Sequence, residues 1–278
     1  MLSDKTIRFL LRLGRLLPYA GWRKACRDRL RTYSGKGNQV ILIYPDGERH
    51  RCPFSWLPYG SAIKFQGDRN TLELEVPSSS PKVIKRYLKA FGKLSYYFYG
   101  DDNCCHFGVT RHIGWFQEGS TVILHNGAKM QIGRDIAIGP HAQLYANGLD
   151  NAEFTIGDES IVAGESVVRN DDAHTVFDDK TAQILNRPRG VHIGKHVWIT
   201  FRCLILKGTR LPDNCVIACG TTCTKEFTEP NTIIGGAPPR VLRRGINWSI
   251  LSISEYQEQQ EQNIAEIATT DLDENQQP

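Results

Sequence analysis

No stretch of the chain is long and apolar enough to read as a membrane span or as the core of a signal peptide. The most apolar early run, IRFLLRLGRLLPYAGW at 7–22, is broken by Arg8, Arg12 and Arg15, and a span needs about 20 consecutive apolar residues. A cytoplasmic location is therefore expected. CxxC pairs are also missing. Cys215, Cys219 and Cys223 are spaced C-x3-C-x3-C and read as small buried residues rather than a zinc ribbon, and all eight cysteines are expected to stay thiols. Lys and Arg are absent from 255–278, where seven acidic residues stand, whereas 1–36 carries ten Lys or Arg against Asp4 and Asp28. Ends this charged face solvent or partners. The acidic tail 254–278 is expected to be disordered or a frayed helix.

What is present, 40% hydrophobic and 23% charged residues over 278 positions, fits a globular protein with a sizeable core. Residues 4–33 read as a helix interrupted near Pro18, with Ile7, Leu10, Leu11, Leu13 and Leu17 mostly along one side. Such an arm, 1–36, suits either an anionic membrane surface or packing on its own domain. The segment 37–112 then reads as β-rich, or as early irregular coils, with runs such as QVILIY and LELEV around Pro-Asp-Gly and Gly-Asp turns. In SYYFYG, Tyr96 and Phe98 take one strand face and Tyr97 and Tyr99 the other. These faces suit core or interface packing, or a platform on which sugars stack.

From residue 132 a period of six appears. Ile132, Ile138, Leu144, Asp150, Ile156, Val162 and Val168 form one series, and Ile193, Ile199, Ile205, Leu211, Ile217 and Cys223 a second; eleven of the thirteen are Ile, Leu or Val. At an overall frequency of about a fifth for these residues, chance supplies two or three. Six is neither the helical nor the strand period. It suits short strands joined by tight corners, with Gly133, Gly139, Gly157 and Gly194 where the backbone crowds or turns. Stacked coils of this kind make a parallel β-helix. From Val168 to Ile193 is 25 residues, one more than four hexads, so the chain leaves the coil between them. A loop on a rigid repeat scaffold is a common seat of function. His174, in NDDAHTVFDD, lies on this excursion.

The run GVHIGKHVWITFRCLILKGTRLPDNCVIACGTTCTKEFTEPNTIIGGAPPRVL, 190–242, resembles the carboxy-terminal signature of the hexapeptide-repeat acyltransferases. DDAHTVFDD, followed 24 residues after its histidine by the tryptophan of IGKHVWI, is similar to the branch that O-acetylates sialic acid and other capsular or surface polysaccharides. The resemblance covers roughly 130–245. It implies a mainly β, left-handed parallel β-helix spanning 113–236, with a loop near 169–192, a closing segment 237–253 and a homotrimeric assembly. It implies acetyl-CoA as cosubstrate, a polysaccharide acceptor, and an active-site pair that falls on His174 and Trp198. No metal and no nucleic acid are expected. The sequence departs from the family at Thr200, at Ala218-Cys219-Gly220 and at Gly236-Ala237-Pro238-Pro239-Arg240.

Acetyl transfer from a thioester to an alcohol needs a base, donors for the developing oxyanion, and alignment. His174 is the candidate base, and Asp171, Asp172 or Asp178 is available to orient it. Trp198 offers an indole donor and a broad face. Thr200, Ala218, Cys219, Gly220, Lys225, Arg240 and Arg243 are the candidates for CoA, the cations meeting phosphate and the small residues lining the pantetheine arm; Arg244 follows Arg243. Arg187 and Arg189, on the His174 excursion, are candidates for an acidic acceptor. Competing readings are an acetyltransferase for an amino sugar, nucleotide sugar or amino acid; a zinc enzyme resembling the β-helix carbonic anhydrases, with His174, His192 and His196 as ligands; and a noncatalytic scaffold.

Overall fold

The computed structural model describes residues 35–57, 62–112, 116 and 119–274. The helix expected over 4–33 of the basic arm lies outside them. The chain winds as a triangular coil whose sides are three sheets with parallel rung-to-rung pairing. The first face stacks Gln39–Ile43, Thr71–Glu75, Cys104–Phe107, Lys129–Ile132, Phe154–Ile156, Val191–Ile193 and Arg210–Leu211. The second stacks Ala62–Gln66, Ser95–Tyr99, Thr121–His125, Gln143–Asn147, Val167–Arg169, Leu204–Ile205 and Thr222–Cys223. The third stacks Ala137–Ile138, Ile161–Val162, Trp198–Ile199, Val216–Ile217 and Thr232–Gly235, and the antiparallel strand Arg240–Arg244 closes it. Each complete coil visits the first face, then the third, then the second.

The hexads are three interior columns. Ile132, Ile156, Ile193 and Leu211 stack on the first face; Ile138, Val162, Ile199 and Ile217 on the third; Leu144, Val168, Ile205 and Cys223 on the second. All of them are buried, so each rung adds one apolar side chain per face to a continuous core. Asp150 does not belong to the series. It sits exposed at φ +57° in the short turn Leu149–Asn151. A regular coil takes 18 residues, from Ile193 to Leu211, and the coil from Ile132 to Ile156 takes 24. The extra six residues keep the phase, which is why a period of six runs through a loop.

The coil begins at Gln39, ahead of the first legible hexad, so the strands of 37–112 are early coils continuous with the regular coil expected from 113. In the segment expected to be β-rich, the helix Pro81–Phe91 joins a first-face strand to a second-face strand. Proline starts it, as suits a position whose N–H needs no partner. Ile84, Tyr87, Leu88 and Phe91, spaced i, i+3, i+4 and i+7, are its buried face. At the corner leading into the first face, Asn38, Asn70 and Asn103 form a buried amide ladder. Asn70 N donates to Asn38 Oδ1 at 2.8 Å, and Asn103 N to Asn70 Oδ1 at 3.0 Å. It satisfies backbone donors where strand pairing stops.

Glycines stack at the corner that leads out of the first face. A Cβ on Gly157 would lie 2.6 Å from the carbonyl carbon and oxygen of Gly194 and 2.7 Å from Lys195 N. These are backbone atoms of the next rung and cannot yield like a side-chain tip. Gly157→Ala is expected to lower stability by about 1–3 kcal/mol through overpacking, read as an earlier thermal transition; an unchanged transition would mean that the rungs have slack at this corner.

Residues from Asn247 form a second compact unit. Its helix Ile253–Glu274 is the helical one of the two alternatives expected for the acidic tail. The reason is a capping box at Ser252-Ile253-Ser254-Glu255: Ser252 N donates to Glu255 Oε2 at 2.8 Å and Glu255 N to Ser252 Oγ at 3.3 Å. No helix among the described residues is long and apolar enough to cross a membrane.

Candidate active site

After Val167–Arg169 the chain leaves the coil and rejoins it at Val191–Ile193. The neck of this excursion is closed on the corner between the second and first faces. Arg189 N donates to Asn170 O at 3.1 Å, and Gly208 N of the following coil to Gly190 O at 3.0 Å. Beyond the neck is a small hairpin, with Phe177 paired antiparallel to Ile184 and Leu185 N donating to Val176 O at 2.8 Å. The excursion thus satisfies its own backbone and does not need the coil's packing rule. Its apolar side chains face outward: Phe177 is 59% and Leu185 61% exposed.

His174 precedes the hairpin with its ring exposed. Its main chain is held on both sides: His174 N donates to Asp172 O at 2.8 Å, and Asn186 Nδ2 donates to His174 O at 2.7 Å. Each of the three aspartates considered as its orienter is employed elsewhere. Asp171 is buried and accepts from Asn147 Nδ2 at 2.6 Å and Ala173 N at 3.1 Å. Asp172 pairs with Lys207 and accepts from Asn186 Nδ2 at 3.1 Å. Asp178 caps the hairpin tip, accepting from Thr181 N at 2.8 Å, Thr181 Oγ1 at 2.9 Å and Lys180 N at 3.0 Å. Partial burial pushes the Asp172 carboxyl up, but the bonds from Lys207 and Asn186 favour its charged form and hold it below its usual value of 3.8. A depressed carboxyl contributes its stability above the unfolded value and loses it as pH falls through the folded one. The Asp172 pair is therefore fully formed at neutral pH.

Trp198 opens its third-face strand between Ile161 and Val216 and is 37% exposed. The third face is the side of the triangle opposite the corner that carries the excursion. His174 and Trp198, paired by the resemblance, therefore lie across the coil from one another within one chain.

The candidates for CoA divide between two places. Thr200, Ala218, Cys219 and Gly220 are at the corner between the third and second faces. Thr200 Oγ1 donates to Ile217 O at 2.7 Å, which accommodates a threonine where the family carries glycine. Ala218–Gly220 make a turn closed by Thr221 N to Ala218 O at 3.2 Å, with Gly220 at φ +70°. Cys219 is exposed here, against the expectation of a buried residue, because it sits on the turn; Cys215 and Cys223 are buried in the coil as expected. The cysteines among the described residues are free thiols.

Lys225 and Arg240 come together with Arg244 in a cleft of about 400 Å³ near the end of the coil, lined also by Glu226, Phe227 and Glu229. Arg244 pairs with Glu229 at 2.7 Å, and Lys225 lies 5.4 Å from the Phe227 ring centroid. No ion pair engages Lys225 or Arg240 among the described residues, so both charges are available to phosphate. Arg243 is exposed and does not line the cleft. On the excursion, Arg187 is tied to Asp150 at 3.0 Å, and Arg189 lays its guanidinium against Gly208.

Two further histidines do not join His174. His192 Nδ1 is 3.3 Å from Thr155 Oγ1, and His196 Nδ1 is 3.0 Å from Asn214 Oδ1. No group of three ligating side chains that could hold a metal is found among the described residues. Tyr96 and Phe98 are in the core, and Tyr97 and Tyr99 face outward. The outward rings do not form an open platform. Tyr99 stacks on His125 at 4.6 Å, His125 on Tyr145 at 5.0 Å, and Arg169 covers Tyr145 at 5.0 Å. The faces a sugar would use are taken by neighbouring rungs, and burial in this stack pushes the His125 imidazole down. Lys207 and Asn186, which hold the His174 segment, were not readable in the sequence. Lys207 is 35 residues from Asp172, and only coil stacking brings them together.

No family model matches the chain. A polysialic acid O-acetyltransferase of Escherichia coli O1:K1 / APEC is 25% identical over 128 residues, 46% of this chain and 40% of that protein. A galactoside O-acetyltransferase of Escherichia coli (strain K12) is 31% identical over 119 residues, 42% of this chain and 55% of that protein. The chain thus spans about half the length of these two relatives. A crystal structure of the polySia-specific acetyltransferase NeuO superposes with a TM-score of 0.52 at 23% identity, covering 68% of this chain and 79% of that one. The chain accordingly has the left-handed, hexapeptide-repeat β-helix fold, and part of it is similar in sequence to two sugar O-acetyltransferases.

Proposed function

We propose that the chain is an acetyl-CoA-dependent O-acetyltransferase acting on a hydroxyl of a bacterial capsular or surface polysaccharide. The observation that carries the reading is His174: an exposed imidazole on a main chain fixed at both N–H and C=O, in the segment where the aliphatic columns are interrupted. The similarity to a polysialic acid O-acetyltransferase supports the acceptor class. In this reading acetyl-CoA supplies the acetyl group, and Lys225 and Arg240 hold its phosphates. His174 takes the proton of the acceptor hydroxyl as the C–O bond forms, then returns it to the sulfur as the C–S bond breaks; the products are the O-acetyl ester and free CoA. Trp198 of a neighbouring subunit completes the site, because one chain keeps it across the coil from His174. A homotrimer is the assembly proposed, with a cytoplasmic location and the basic amino-terminal segment facing an anionic surface.

The similarity to a galactoside O-acetyltransferase favours, as a second reading, a small sugar acceptor. Labelled acetyl-CoA offered with polysialic acid, with other bacterial polysaccharides and with a galactoside separates the two readings by mass spectrometry of the products. Labelled polymer supports the first, and label confined to the galactoside replaces it with the second. Absence of both label and thiol release would leave a noncatalytic scaffold.

A further inference from the structure

We infer that Lys207 is a positioning residue for His174, fixing the main chain from which the proposed base reaches its substrate; the inference rests on the base role given to His174. Lys207 follows the second-face strand Leu204–Ile205, at the corner where the next coil turns back towards the first face. Its side chain is only 15% exposed, so the ammonium is held in place instead of ranging through solvent. It donates to Asp172 Oδ2 on the outgoing strand of the excursion and, at 3.0 Å, to Asn186 O on the returning strand. Asn186 then joins the two strands: its Nδ2 donates to Asp172 Oδ2 at 3.1 Å and to His174 O at 2.7 Å, and its Oδ1 accepts from Val176 N at 2.7 Å.

The network tethers the backbone on both sides of His174 to the rigid coil through one cation. None of its bonds reaches the imidazole, so Lys207 acts on the position of the ring and not on its chemistry. Without the cation, Asp172 and Asn186 O lose a shared donor, and nearer the neck the ties of Asp171 to Asn147 and of Arg187 to Asp150 still hold the two strands to the coil. A base displaced by about 1 Å loses about a hundredfold in rate.

The test uses the full chain, with acetyl-CoA as donor and polysialic acid as acceptor. Lys207→Met is expected to lower kcat by about tenfold to a hundredfold, leave the KM for acetyl-CoA within about twofold, and speed amide exchange across 172–186 while Val191–Ile193 and Leu204–Ile205 stay protected. Lys207→Arg, which keeps a cation at this point, is expected to recover most of the rate. Added to His174→Ala, Lys207→Met is expected to cost nothing further, because both act through one group. An unchanged kcat, or unchanged exchange across 172–186, in Lys207→Met overturns the inference. So does an equal loss in Met and Arg variants with an earlier unfolding transition, which would give Lys207 to fold stability alone. If His174→Ala keeps its turnover, the base role fails instead. If the wild type does not turn over polysialic acid, the acceptor reading fails, and amide exchange still decides whether Lys207 holds the segment.

Discussion

His174→Ala is expected to lower kcat for acetyl transfer by about 10²- to 10⁴-fold, the range lost with a general base, while fold and assembly stay intact. The substitution is a clean one here. The bonds that hold residue 174 run through its N–H and its C=O, and alanine keeps both. The ring is exposed, so its removal leaves no cavity, and stability should stay within about 0.5 kcal/mol of wild type. Steady-state turnover, circular dichroism and sedimentation check the three parts of this expectation. Substantial residual turnover in a folded variant would remove His174 from the role of base, whatever the acceptor proves to be.

The same contacts show how far the sequence could be read. The period of six predicted stacked coils of short strands, and the structure resolves it into three buried columns, because each rung spends one aliphatic residue per face; Ile132, Ile199 and Ile205 lie in them. The early coils escaped it because their faces are built from longer strands, such as Thr71–Glu75 and Ser95–Tyr99, and from the helix Pro81–Phe91. Asp150 was counted as a repeat residue because its turn adds one full period, which no periodicity can distinguish from a strand. Within the site, His174 was legible as a polar interruption with a partner at a family spacing. The fate of the neighbouring aspartates was not, since hydrogen bonds to Asn147, Lys207 and Thr181 are matters of stacking and turn geometry. The meeting of Lys225 with Arg240 is likewise a product of the chain's last turns, in which a strand folds back antiparallel on the third face.

Mixed assemblies of His174→Ala and Trp198→Ala chains are expected to recover about a third of wild-type activity, although each variant alone has almost none. The excursion is anchored at one corner of the triangular coil by Arg187 with Asp150 and by Lys207 with Asp172, and Trp198 stands on the face opposite. In the proposed homotrimer, a closed ring of three identical chains would present the excursion of each chain to the coil of the next. Each site then draws its histidine from one chain and its tryptophan from a neighbour. A mixed trimer holds two chains of one variant and one of the other, and around the ring just one neighbour pair joins an intact His174 to an intact Trp198, so about one site in three is whole. If instead the pair met within one chain, every chain in the mixture would lack one partner, and co-expression would recover nothing. Turnover of the co-expressed mixture, purified by two different tags so that only mixed assemblies are assayed, decides between these outcomes by a difference of about a third against zero. That difference reads the placement of Trp198 opposite the excursion as chemistry, because the two residues must then act on one substrate from separate chains.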